Sequence, residues 1–98
     1  MQVNQDMKIL IVDDFSTMRK IVKDLLAELG FCHSDEAYDG ENAWQKLNEQ
    51  KFDLIVSDWN MPNMSGVDLL KMVRNKDALK DIPFILISAE AKRSQIIE

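Results

Sequence analysis

Three short aliphatic runs stand out along the 98 residues, and none of them alternates apolar with polar positions. Runs of this kind are typical of strands that are buried on both faces of a parallel sheet. They predict strands over Ile9–Val12, 54–56 and Phe84–Ile87. A weaker pattern predicts a further strand over Ser34–Ala37, between the first two of these runs.

Segments with helical periodicity separate the predicted strands. Spacings of three and four residues predict a first helix with one apolar face, formed by Met18, Ile21, Val22, Leu25, Leu26 and Leu29. Ser16 is expected to cap the start of this helix, and Gly30 is expected to end it. A second helix should open at Asp39-Gly40, a third should cover 65–74, and a fourth should begin within "AEAKRSQIIE".

The predicted strands and helices alternate strictly along the chain. Such alternation predicts an α/β fold, a doubly wound parallel sheet with right-handed crossovers. In sheets of this kind, ligands bind outside the carboxyl ends of the strands, where the strand order reverses. The side chains that follow the strands are therefore the first candidates for a functional site.

The composition of the chain indicates which kinds of binding partner and which cellular compartment to expect. The chain has the length of one domain, and 46% hydrophobic with 30% charged residues is typical of a globular protein. A net charge of -5 argues against nucleic acid or an anionic membrane as partner. No apolar run approaches a membrane span, and "MQVNQD" does not resemble a signal peptide. Because Cys32 is the single cysteine, we expect a reducing, cytoplasmic location.

Acidic and hydroxyl side chains follow three of the predicted strands. Asp13 and Asp14 follow the first, Asp58 follows the third along the chain, and Ser88 follows the last aliphatic run. Adjacent carboxylates oppose each other's ionisation unless a cation lies between them, so the pair indicates either a solvated turn or half of a metal site. If these strands are neighbours, the carboxylates meet at one edge, where Mg²⁺ could bind.

A metal at this edge would make phosphoryl chemistry possible. A carboxylate beside Mg²⁺ can attack phosphorus and form an aspartyl phosphate, with Asp58 as the candidate nucleophile. The Ser88 hydroxyl could donate to a phosphoryl oxygen. Taken singly, each residue also has a structural explanation, because acidic residues commonly cap helices and occupy turns. It is their joint position at three strand ends that favours a site.

The segments "ILIVDDFSTMRKIVKDLLAELGF", "SDWNMPNMSG" and "SAEAK" resemble receiver domains of two-component response regulators, in particular the CheY-like members that act in chemotaxis. The resemblance covers about residues 7–98 and implies a flavodoxin-like (CheY-like) fold, for which the strand order 2-1-3-4-5 is known. It implies that 1–98 is a single receiver domain, incomplete at its C-terminus and truncated to four strands, with residues 1–6 disordered.

The resemblance also implies a role for each candidate residue. Asp58 matches the phosphoacceptor, Asp13 and Asp14 match the acidic pair that positions Mg²⁺, and Asn60 matches the position whose backbone carbonyl completes the metal shell. Ser88 matches the switch hydroxyl, which is often Thr in this family. Further matches lie in the loop that shapes the site, at Met61, Pro62 and Gly66.

The family's fifth strand, fifth helix, phosphate-pairing lysine and switch aromatic have no counterpart in these residues, and Lys92 and Arg93 match neither missing side chain. A fourth strand left at the edge of the sheet would invite another chain. We therefore expect a homodimer, formed by contact between edge strands or by exchange of an element such as the fourth helix.

The implied function is that of a signalling module rather than an enzyme. It would accept phosphate from a chemotaxis histidine kinase and signal to the flagellar motor switch. One alternative is a phosphotransfer enzyme with an aspartyl nucleophile, but such enzymes usually carry Asp-x-Asp, and Phe15 stands two residues after Asp13. A second alternative is an interaction fragment that cannot be phosphorylated.

Overall fold

The computed structural model describes residues 5–87. Strands and helices alternate as predicted, in the order β1 (Ile9–Val12), α1 (Ser16–Glu28), β2 (Ser34–Ala37), α2 (Gly40–Glu49), β3 (Leu54–Asp58), α3 (Gly66–Arg74) and β4 (Phe84–Ile87). Ser88, Lys92, Arg93 and the predicted fourth helix lie outside the described residues, as do residues 1–4. Among the helices within 5–87, none has the length and apolar character needed to cross a membrane.

The four strands form one parallel sheet in the order β2-β1-β3-β4. This arrangement confirms the predicted doubly wound α/β fold. In the register of β1 with β3, Val12 lies opposite Ser57. The residues that come next, Asp13 and Asp58, therefore leave adjacent strands at the same level of the sheet. The predicted meeting of strand ends follows directly from this register.

Both faces of the sheet are covered by apolar side chains. Successive residues of β1 point to opposite faces, so Leu10 and Val12 join one cluster while Ile9 and Ile11 join the other. The first cluster includes Ala43 and Leu47 of α2 together with Leu69 and Val73 of α3. The second packs against Val22 and Leu26 of α1. Helices thus lie on both faces and leave the strand ends free to form a site.

Polar caps explain where two of the helices begin. The Asp39 side chain accepts a hydrogen bond from the Asn42 N–H at 2.8 Å, and the Ser65 hydroxyl accepts one from the Asp68 N–H at 3.1 Å. The prediction that Ser16 caps α1 is wrong: Ser16 is already helical, and its neighbour Phe15 occupies the capping position without a side-chain hydrogen bond. Because Phe15 takes the extended conformation of a cap residue, the helix begins at Ser16, one residue earlier than a Ser16 cap would imply.

Helix α1 ends just before Gly30, as the sequence predicted. Gly30 has φ 93°, a left-handed conformation that glycine adopts without a steric penalty. Its N–H donates to the Ala27 carbonyl, and the Phe31 N–H donates to the Leu26 carbonyl at 2.9 Å. These two bonds form a Schellman motif and satisfy carbonyls that the helix leaves without a partner.

Only part of the apolar face of α1 packs on the sheet. Val22 and Leu26 contact the second core cluster, whereas the side chains of Ile21, Leu25 and Leu29 are 45%, 55% and 67% exposed. The predicted face is wider than the contact that α1 makes with the strands, so its other half stays at the surface. Apolar positions at helical spacing predicted the helix correctly but not which of them are buried.

Candidate metal centre

Three carboxylates meet at the carboxyl edge of the sheet. Asp13, Asp14 and Asp58 can each place one carboxylate oxygen so that the three oxygens lie within 4.8 Å of one another. Asp13 is buried, and the other two are half-buried. Asp58 is the last residue of β3, whereas Asp13 comes directly after β1. The predicted cluster is therefore present, built from the ends of adjacent strands.

Backbone hydrogen bonds hold the turn after β1. The Asp13 N–H donates to the Ala37 carbonyl of β2 at 3.1 Å, which extends the sheet pairing by one residue. The Asp13 Oδ1 atom accepts from the Phe15 N–H at 2.9 Å. Asp13 thus bonds to its own turn through its side chain and to the sheet through its backbone. The Asp14 side chain faces the other carboxylates, and its Oδ1 atom has no such hydrogen bond within residues 5–87.

Burial and like charge make ionisation of the cluster unfavourable. The pKa of Asp13 is raised above its ordinary value of 3.8, chiefly by burial and further by the charges of Asp58 and Asp14, although the hydrogen bond from Phe15 opposes the shift. The pKa of Asp58 is also raised, by burial and by Asp14, against backbone hydrogen bonds from Trp59 and Asn60. A cation between the carboxylates would relieve this repulsion.

The donor atoms fit a hard divalent cation. The Oδ1 atom of Asp14 is buried and has no hydrogen-bond partner within the described part of the chain. A buried carboxylate oxygen without a partner is costly unless something binds it. Oxygen ligands alone, with neither sulfur nor imidazole in the cluster, are those that Mg²⁺ prefers. The residues present therefore fit the expected Mg²⁺, which Asp13, Asp14 and Asp58 would hold.

The loop after β3 is fastened to its neighbours on both sides. The Trp59 N–H donates to the Ile87 carbonyl at 2.8 Å, and the Trp59 carbonyl accepts from the Gly66 N–H at 2.8 Å. Asn63 turns the loop with φ 70°, a left-handed conformation that asparagine tolerates better than most residues. The loop thus returns to the site, and Gly66 begins α3 directly against the end of β3.

A scan against protein-family models decides the family. Residues 9–98 match the model described as response regulator receiver domain, which covers most of the chain. The chain belongs to the response regulator receiver domain family. The predicted resemblance is thereby confirmed.

Curated relatives and solved structures agree with this assignment. The receiver domain is 58% identical over 96 residues to chemotaxis protein CheY-3 of Vibrio cholerae, which covers 98% of this chain and 74% of the relative. It is also 58% identical to chemotaxis protein CheY of Pseudomonas aeruginosa, over 94% of this chain and 74% of the relative. The structure of CheY4 of Vibrio cholerae superposes with a TM-score of 0.77 at 33% identity, over 94% of this chain and 79% of that one.

The remaining predicted residues have different outcomes. Asn60 is exposed in the loop after β3, and its role as a carbonyl ligand stays a prediction. Gly66 is buried at the site, whereas Pro62 is exposed and Met61 packs partly against the first core cluster. Ser88 lies outside the described residues, so its role as the switch hydroxyl also stays a prediction.

Sequence reasoning missed three polar residues around the cluster. The buried Ser57 hydroxyl donates to the Asp58 carbonyl at 2.9 Å. Arg19 of α1 donates to the Asp13 carbonyl and pairs with Glu36 of β2. No spacing along the chain marks these residues, because Arg19 and Glu36 meet only when α1 packs beside β2. The available signal was the pair of acidic residues, Asp35 and Glu36, within the short β2 segment.

The raised pKa values predict that the metal-free receiver domain gains stability when Asp13 is neutralised. The folded chain holds the Asp13 proton more tightly than the unfolded chain does, so stability falls as pH rises through the raised pKa and stays lower above it. We expect Asp13→Asn to stabilise the chain by about 1 kcal/mol at neutral pH in a chelator. Urea unfolding as a function of pH measures this, and the gain should vanish at pH values below 3.8.

Asp35→Asn provides the control of opposite sign. Burial alone would raise the pKa of Asp35, but hydrogen bonds from the Glu36 N–H and from Lys46 outweigh it and lower the pKa below 3.8. Asp35 therefore contributes stability that is present above 3.8 and lost as pH falls through the lowered pKa. Asp35→Asn should destabilise at neutral pH. A loss of stability in Asp13→Asn as well would contradict electrostatic repulsion within the cluster.

Proposed function

We propose that this receiver domain is a Mg²⁺-dependent phosphoacceptor in chemotaxis signalling, with Asp58 as the residue that is phosphorylated. The observation that carries the proposal is the meeting of three carboxylates within 4.8 Å at the carboxyl edge of the sheet. The unpartnered Oδ1 atom of Asp14 supports a metal there. The chemotaxis role is supported by the two CheY relatives at 58% identity.

The chemistry follows from the position of each carboxylate. One oxygen of Asp58 attacks phosphorus, a bond from that oxygen to phosphorus forms, and the bond from phosphorus to the donor's imidazole nitrogen breaks. The nitrogen keeps the electron pair, so no other oxidant or reductant is needed. Asp13 and Asp14 would hold Mg²⁺, which would neutralise charge on the transferring group. The exposure of the site's rim at Trp59 leaves room for a donor to approach.

The proposed partners are a histidine kinase as phosphoryl donor and a flagellar motor switch protein as receiver of the signal. Neither nucleic acid nor a membrane is proposed, because a net charge of -5 is unfavourable for binding anionic surfaces. We propose a cytoplasmic location, which suits the exposed free thiol of Cys32. In this role the domain is modified itself and passes on a signal, rather than turning over a separate substrate.

Mg²⁺ is expected to change the fluorescence of Trp59 with saturation. The indole is 46% exposed and directly follows Asp58, so a cation bound at the cluster changes its surroundings. The titration should be made in a Trp44→Phe protein, which serves as the background for all further variants. This substitution removes the other tryptophan and leaves Trp59 as the reporter. In that background, Asp14→Asn should weaken Mg²⁺ binding by about 10–100-fold or more, since loss of a ligand costs at least as much as loss of an outer partner.

Asp77→Asn is the matched control for this titration. It removes the same charge at a fully exposed side chain, whose Oδ1 atom lies 3.9 Å from the Lys80 Nζ atom. Its Mg²⁺ affinity should equal that of the background protein. Equal affinities in Asp14→Asn and Asp77→Asn would show that the cation binds elsewhere. Absence of any saturable response in the background protein would refute the metal site altogether.

We also propose that the domain pairs with a second copy, by contact through β4 as an edge strand or by exchange of an element. Among residues 5–87, β4 pairs only with β3, and its Ile85 side chain is 48% exposed. An apolar edge strand invites pairing with another chain, whereas charged side chains protect such edges. Light scattering over a concentration series should give a mass above that of the monomer. Ile85→Lys should return the monomer, whereas Gln45→Lys on α2 should not.

A monodisperse monomer of the unmodified chain at high micromolar concentration would refute this pairing. If Gln45→Lys and Ile85→Lys dissociate the dimer equally, the added charge rather than the strand edge would be responsible.

A further inference from the structure

Arg19 connects the metal centre to the neighbouring strand. Its Nη1 atom donates to the Asp13 carbonyl at 2.7 Å, and its Nε atom donates to Glu36 Oε1 at 3.0 Å. The side chain is only 17% exposed, although it carries a full positive charge. A charged side chain that is this well covered and bonded at two points has a defined position, unlike a mobile surface cation.

The bond from Arg19 completes the support of Asp13. The Asp13 N–H already bonds to β2, and its side chain already accepts from the Phe15 N–H. Its carbonyl is held by Arg19 from the first turns of α1. With all three groups bonded, the peptide that leads into Asp14 has its orientation set. Asp14 is the residue whose Oδ1 atom has no hydrogen-bond partner among the described residues, so this orientation decides where its carboxylate lies.

Glu36 offsets the charge that this contact brings near the carboxylates. An uncompensated cation close to the cluster would repel Mg²⁺, because charges in a partly buried site interact strongly. Glu36 lies on β2 opposite Ile11, which faces α1, and its carboxylate meets the guanidinium from that face. The Arg19–Glu36 pair can therefore hold the turn while adding little net charge.

We propose that Arg19 is a positioning residue of the metal centre: it holds the Asp13 backbone so that the Asp14 carboxylate stays aimed at Asp58, and Glu36 offsets its charge. This inference rests on the proposed Mg²⁺ site. Arg19 itself does not contact the metal. Its effect is exerted through the orientation of the acidic turn, in the way that residues bonded to metal ligands commonly control affinity.

Arg19→Met tests this proposal in the Trp44→Phe background, with Mg²⁺ affinity read from Trp59. The substitution keeps an unbranched apolar side chain but removes the charge and both donors. We expect Mg²⁺ binding to weaken about 10-fold. Arg19→Lys should recover part of this loss, because an ammonium group can reach one of the two acceptors but not both.

Arg74→Met is the matched control. Arg74 also donates from Nη1 to backbone carbonyls, those of Lys80 at 2.8 Å and Ile82 at 2.7 Å, but at the end of α3 away from the strand ends that carry the carboxylates. A general loss of stability would affect both variants, whereas only Arg19→Met should weaken Mg²⁺ binding. Equal Mg²⁺ affinities in the two variants would overturn the proposal.

Glu36→Gln keeps the inference testable if Arg19→Met does not fold. Gln can still accept from Arg19, but it no longer offsets the charge. Mg²⁺ binding should weaken at low salt and approach that of the background protein at high salt, because salt screens the exposed charge. Unchanged affinity at low salt would contradict the charge-balancing role. If the background protein itself binds no Mg²⁺, the proposed function fails instead, which is a separate result.

Discussion

Asp58→Asn is expected to abolish labelling of the receiver domain by acetyl phosphate while leaving its fold intact. An amide nitrogen or oxygen does not form the acyl phosphate that a carboxylate oxygen forms, so the loss should be complete within detection. Folding should not suffer, because the pKa of Asp58 is raised and its charge is therefore unfavourable in the folded state. Intact-mass spectrometry measures the labelling, and circular dichroism checks the fold.

Asp77→Asn serves again as the control, since it removes an exposed carboxylate and should label like the unmodified chain. Chelation of Mg²⁺ should suppress labelling of both Asp77→Asn and the unmodified chain. Labelling that persists in Asp58→Asn would place the nucleophile on another residue. An unmodified chain that takes up no phosphoryl group would favour the alternative of an interaction fragment.

Gly66→Ala should lower the stability of the receiver domain and weaken Mg²⁺ binding in the same variant. A Cβ atom at this position would lie 2.1 Å from the Asp58 carbonyl oxygen and 2.8 Å from Leu86 Cδ2. Because the first of these contacts is with backbone, either α3 or the end of β3 has to move. We expect a loss of about 1–3 kcal/mol in urea unfolding, together with weaker Mg²⁺ binding as Asp58 shifts.

Gly40→Ala is a close control, because Gly40 and Gly66 are each the first residue of a helix. The change in helix propensity is therefore similar in the two variants. The three atoms nearest to a Cβ atom on Gly40 would be Sδ, Cβ and Cγ of Met64, at 2.7–2.9 Å, so this contact is with a side chain and not with the Asp58 backbone. Gly40→Ala should cost less stability and leave Mg²⁺ affinity unchanged. Equal losses in both variants would mean that the contact with Asp58 is not the cause.

The strands and most helix boundaries could be predicted from the sequence because local patterns determine them. Runs of aliphatic residues predicted three strands, and the weak pattern over Ser34–Ala37 also proved to be a strand. Asp39 and Gly30 lie where the helix signals placed them. The sequence also shows directly that acidic residues come after β1 and at the end of β3. Because the carboxyl ends of parallel strands lie at one edge of a sheet, these positions predicted the carboxylate cluster.

The contacts that shape the site were decided only by tertiary structure. The pairing of Arg19 with Glu36 depends on how α1 crosses the sheet beside β2. The close approach of Gly66 to Asp58 depends on the path of the loop between β3 and α3. Such contacts join residues whose separation along the chain carries no periodic signal, so no pattern could reveal them.

The difference is clearest within α1. Its helical period is a property of successive residues, and the sequence determined it alone. Which apolar residues are buried was decided by the angle and position of the helix on the sheet, and this left Ile21, Leu25 and Leu29 at the surface. The sequence likewise determined that Asp13 and Asp14 follow a strand. The position of Asp58 within 4.8 Å of them was decided by the pairing of β1 with β3, because hydrogen bonding between those strands brings their ends together.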